Sequence, residues 1–170
     1  MNMITSKTKQ LVFSLITASA LSLSVAMPVY AADSVELTSK AEVDVVVKHQ
    51  DGTKETKRVI AKKIAPDGEV IYTTTFKNII AKPVANILIN NPIPKDMRYT
   101  IGSASGVNTD ITFSVDGGKT FAKEDKLIVT TKEGNTRPAA ADDYTNIRWV
   151  YQGELAAGQS SSVQFKAVVK

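Results

Sequence analysis

The 170-residue sequence predicts an all-β fold, an antiparallel β-sandwich of about nine strands. Three observations carry that prediction. Residues 32–170 hold 15 Val, 12 Ile and 14 Thr against 4 Leu. Branched side chains pack well on a pleated surface and lose rotamer freedom in a helix. From Val35 the chain alternates, with Leu37, Ser39, Ala41, Val43, Val45 and Val47 on one side and Glu36, Lys40, Glu42, Asp44 and Lys48 on the other. Turn residues then recur at short intervals, and no segment shows the period of an amphipathic helix. A closed barrel is the alternative architecture.

The elements follow in order. The first strand begins at Val35, and its length predicts a bend or bulge near Ser39. Asp51-Gly52 closes a hairpin into a second strand over 53–60, and Pro66-Asp67-Gly68 leads into a third over 70–77. A strand over 84–89 ends at Asn90-Asn91-Pro92-Ile93-Pro94, and 97–101 forms a short strand before a small-residue loop at 102–108. Strands at 109–115 and 120–121 flank Asp116-Gly117-Gly118. The segment 127–131 precedes the longest loop, 132–144, and strands at 147–151 and 163–169 close the chain. Neither an internal repeat nor a second domain boundary is apparent.

Residues 1–31 read instead as a secretory signal peptide, leaving one Ala32-initiated domain over 32–170. Lys7 and Lys9 supply its positive start, 11–26 is apolar or small, and Val29-Tyr30-Ala31 fits a cleavage site. The apolar run is too short and too serine-rich for a spanning helix, which wants roughly 20 residues. The expectation is therefore an exported protein, periplasmic or extracellular, with no stable membrane insertion after cleavage. Losing Lys7 and Lys9 leaves 19 basic against 17 acidic side chains, a net of +2, so the whole-chain pI of 9.2 overstates its basicity. The basic cluster over 54–63 lacks interleaved aromatics, which disfavours nucleic acid and fits an edge strand guarded by lysines. With no cysteine and one histidine, His49, disulfides, thiolate metal sites and cysteine nucleophiles are excluded. No nucleophile–base pair or metal-ligand spacing points to an enzyme, and no cofactor is implied.

One set of motifs goes further. Pro66-x-Gly68-x-x-x-Tyr72-x-x-x-Phe76-x-Asn78 is followed by Val84-x-x-Ile87, Asn91-Pro92-Ile93-Pro94 and Tyr99, then Leu155-x-x-Gly158 and Val163-x-Phe165-x-Ala167. In order and spacing these resemble the bacterial conserved-repeat domain called domain of unknown function eleven, over roughly residues 66–170. The resemblance implies an Ig-like sandwich of secreted and cell-surface bacterial proteins, often repeated in stalks, with no catalytic residues to carry over. This chain departs from the pattern in having one copy, no sorting motif and an additional segment over 33–65.

Two clusters bear on function. Ser114-Val115-Asp116-Gly117-Gly118-Lys119-Thr120-Phe121 fits an Asp-box, in which the carboxylate caps turn N–H groups and the aromatic anchors the hairpin in the core. The second is Arg137 with Asp142, Asp143 and Arg148, beside the single tryptophan, Trp149, which reads as core. Either arginine pairs with either aspartate to fix the loop, or the four form a polar binding site on it. The adjacent carboxylates lack the spaced ligand series of a calcium loop. The leading functional expectation is a non-enzymatic structural or adhesive protein of the bacterial envelope or extracellular space. It would associate with itself or another envelope protein through edge strands at its N-terminal strand and at 163–169. The alternative is a soluble module binding glycan or another small ligand on the 132–146 loop.

Overall fold

The computed structural model describes residues 34–170. The expected signal peptide, residues 1–31, and the expected first mature residue, Ala32, lie outside the described residues. In chain order the strands are β1 (Val35–Lys48), β2 (Lys54–Ile60), β3 (Glu69–Asn78), β4 (Val84–Ala85), β5 (Leu88–Pro92), β6 (Met97–Tyr99) and β7 (Ser105–Gly106). They continue with β8 (Thr109–Ser114), β9 (Ile128–Thr130), β10 (Thr136–Pro138), β11 (Asn146–Tyr151), β12 (Glu154–Leu155) and β13 (Ser160–Val169). The chain is an all-β sandwich. Its larger sheet runs β2-β1-β3-β13-β6, with β7 also on β13, and the smaller runs β5-β11-β8. Every pairing in both is antiparallel, and neither sheet closes into a barrel.

Alternation decides what faces the core. On β13, Val163, Phe165 and Ala167 are buried, while Lys166 between them points outward to Glu69 at 2.8 Å. On β11, Ile147 and Trp149 are buried in the same way. Aromatic rings lock the two sheets together: Trp149 to Phe165, Phe76 to Tyr151 at 5.5 Å, and Tyr99 to Phe113 at 5.5 Å. Each such side chain removed from water contributes about 1.5–3 kcal/mol, so this seam is what holds the layers face to face. Asn78 is fully buried at the sheet margin yet satisfied. Its side-chain N–H groups donate to the carbonyls of Lys82 and Leu155, both at 2.8 Å, and its oxygen accepts from Ile80 N–H.

Several elements differ from the sequence expectation. No bulge falls near Ser39, since the register of β1 on β3 runs unbroken from Val35 to Glu42, and β1 carries its length by changing partners. Its first half, through Glu42, pairs with β3, and from Glu42 onward it pairs with β2. The strand expected over 84–89 is two strands in different sheets, β4 on β12 and β5 on β11. Asn86 divides them with a φ of 55°, the left-handed region that Asn tolerates better than most residues. The expected strand at 120–121 reduces to a single bridge between Phe113 and Ala122. The 132–144 loop contains β10, which folds back on β9. β13 lies inside its sheet, between β3 and β6, so it is no edge. β2 is an edge, as its lysines lead one to expect, and all seven of its residues are exposed.

Candidate functional site

The Asp-box turn follows β8 and is held by one carboxylate. Asp116 accepts from the N–H groups of Lys119 and Thr120, both at 3.0 Å, and from the hydroxyls of Ser114 at 2.7 Å and Thr120 at 2.6 Å. Those hydrogen bonds, led by Thr120, hold the carboxyl far below the usual carboxylate range. Buried Ser114 completes the turn by accepting from Gly118 N–H at 2.9 Å. Gly118 sits at φ +83°, where a side chain would be strained and would press on Asn146. The side chains of Ser114, Asp116 and Thr120 are thus all occupied in making the turn.

The 132–146 segment begins as the β9–β10 hairpin and ends against this turn. Arg137, on β10, grips Asp143 with both nitrogens, at 2.5 and 2.9 Å. Asp143 also accepts from Ala140 N–H at 2.7 Å, so one carboxylate fixes the loop to the hairpin. The Arg137 guanidinium keeps the Asp143 carboxyl below its ordinary range. Asp142 turns the other way and meets Lys170 at 3.3 Å. Arg148 joins neither aspartate. Its guanidinium lies 3.4 Å from the centroid of the Phe121 ring, a cation–π contact on the outer face of the smaller sheet. The Asp-box aromatic is therefore half-buried against a charge and does not enter the core as the motif leads one to expect. The four residues therefore do not form one cluster: one pair fixes the loop, one aspartate faces the C-terminal lysine, and one arginine stacks on the Asp-box aromatic.

Asp142 does border a cleft of about 560 Å³. Its floor is apolar, from Ile93, Pro94, Met97 and Tyr144, and its rim carries Asp142, Lys170 and Lys95. Thr145 joins the cleft to the Asp-box turn, accepting from Gly117 N–H and donating to the Ser114 carbonyl. Burial pushes the Tyr144 hydroxyl up, with the Glu124 and Asp143 charges adding to the effect, so it stays a neutral hydrogen-bonding group. In the sequence Asn91-Pro92-Ile93-Pro94 reads as the end of a strand and as one segment of the resemblance, and Lys95 and Lys170 carry no role. Nothing local in the sequence signals that these segments meet. Among the described residues, no three His, Asp or Glu side chains converge as a metal site would require.

Fold and site together define an all-β sandwich bearing a polar-rimmed cleft and a long exposed strand pair. No protein-family model matches the chain, and no curated protein matches it either.

Proposed function

We propose that this chain is an exported, non-enzymatic structural or adhesive protein of the bacterial envelope or extracellular space, working by association with other surfaces. The observation that supports this reading is the arm made by β2 and the second half of β1. Every residue of β2 is exposed, and β1 is the only strand it pairs with among the described residues. Val45, Val46, Val59 and Ile60 of this arm, with Leu37 earlier on β1, are half of the large exposed hydrophobics among the described residues. Apolar surface concentrated on one extended element favours contact with a partner over turnover of a substrate.

Expression of the full chain in a bacterium tests this. The expected product is shortened at its N-terminus, lies outside the cytoplasm and co-sediments with envelope material. Val46→Lys combined with Ile60→Lys, two of the most exposed arm positions, weakens co-sedimentation and leaves the melting temperature unchanged. Retention of the uncut chain in the cytoplasm, or a product that never binds envelope, overturns the reading. The cleft beside Asp142 favours a second reading, binding of a small glycan-like ligand. Calorimetric titration with oligosaccharides, compared between the wild-type chain and Asp142→Ala, tests it.

A further inference from the structure

β1 carries an unpaired edge on the main body of the sandwich, and its chemistry is self-complementary. Ala61 N–H donates to the Ala41 carbonyl on the β2 side, while Ile79 N–H donates to the Ser34 carbonyl on the β3 side. Because backbone groups alternate sides along an antiparallel strand, Val35, Leu37 and Ser39 aim their N–H and C=O groups away from β3. β2 pairs only from Glu42 onward, so among the described residues no strand meets those groups. The opposite half of β1 belongs to the two-stranded arm, which has little stability of its own, whereas residues 35–40 are paired along their length with β3. Leu37 lies at the middle of this edge and is 55% exposed, although its register partner, Phe76, is fully buried.

We infer that residues 35–40 form a two-fold interface with a second copy of this chain, the two β1 edges pairing antiparallel about Leu37. The inference rests on the association reading above and names one partner for it. Ala61 already occupies the position opposite Ala41, which limits the pairing to this six-residue window. Centring on Leu37 sets Val35 opposite the partner's Ser39 and Leu37 opposite its own copy, making about six main-chain hydrogen bonds. On the outer face Glu36 then lies opposite Thr38 and diagonal to Lys40 of the other copy, within reach of its long side chain. Centring on Glu36 or on Lys40 instead sets like charges against each other, which disfavours both registers.

The absence of cysteine from the sequence makes the test direct. In a hydrogen-bonded antiparallel pair the Cα atoms lie about 5.5 Å apart, inside the disulfide range. Under mild oxidation, full-chain Leu37→Cys is expected to run mainly as a linked dimer. Glu36→Cys, out of register, and Val107→Cys, exposed beyond β7 at the other side of the sheet, are expected to link only at the background level. Light scattering should give the wild-type protein twice the chain mass at high concentration. Leu37→Asp should halve it without changing the melting temperature. A wild-type monomer at every concentration, equal linking by all three cysteine variants, or a dimer indifferent to Leu37→Asp each overturns the interface. If envelope association survives any of these results, the interface falls and the functional reading stands.

Discussion

Asp116 shows how much one exposed carboxylate organises when its partners are local. Its hydrogen bonds to Ser114, Lys119 and Thr120 are stronger to the ionised form, which is why its proton affinity is depressed. A depressed carboxyl contributes stability above its unfolded value, near 4, and that contribution fades as pH falls below this toward the folded value. Asp116→Ala should therefore lower the melting temperature by several degrees at pH 7. The gap to the wild-type protein should narrow steadily below about pH 4, in melts followed by circular dichroism. Residues bound to near neighbours were readable in this way from the sequence. Arg148 was not, because its partner is a ring from another segment, and neither helical nor strand spacing brings Phe121 to it.

At the scale of elements, Asn86 is the point at which the chain leaves one sheet ribbon for another. β4 before it pairs with β12 and β5 after it pairs with β11, so the turn must reverse handedness within one residue. Asn86→Val places a β-branched side chain in the left-handed region and should cost about 1–2 kcal/mol, whereas Asn86→Gly should be nearly neutral. Denaturant titration of both variants checks the contrast. The apolar run across 84–89 reads as one strand because period-2 alternation records which side chains are buried and not which neighbour buries them. The same blindness explains β13: its Val163, Phe165 and Ala167 announce a strand, but nothing local says that it has partners on both sides. It also hides the cleft, whose walls come from segments 20 or more residues apart in sequence. What alternation and turn chemistry do specify, a sandwich with a buried tryptophan and a lysine-lined outer strand, is what the molecule is.

Across the whole molecule, β3 is the strand on which everything else waits. Its two neighbours are β1, from the start of the domain, and β13, from its end, and the Lys166–Glu69 bridge joins residues 97 apart in sequence. Trp149 rests against Phe165 of that last strand. A chain ending before residue 160 should accordingly fail to fold, its single tryptophan emitting as it does in denaturant, and a native blue-shifted spectrum from that truncation would contradict this account. Topology of this kind also makes folding slow, because distant pairings must form before they are rewarded. A polypeptide delivered from its N-terminus, whether by synthesis or through a narrow channel, thus presents β1, β2 and β3 long before the piece that completes them. The molecule carries a built-in delay: β3 gains its second neighbour only when β13 arrives, and until then the larger sheet is half assembled.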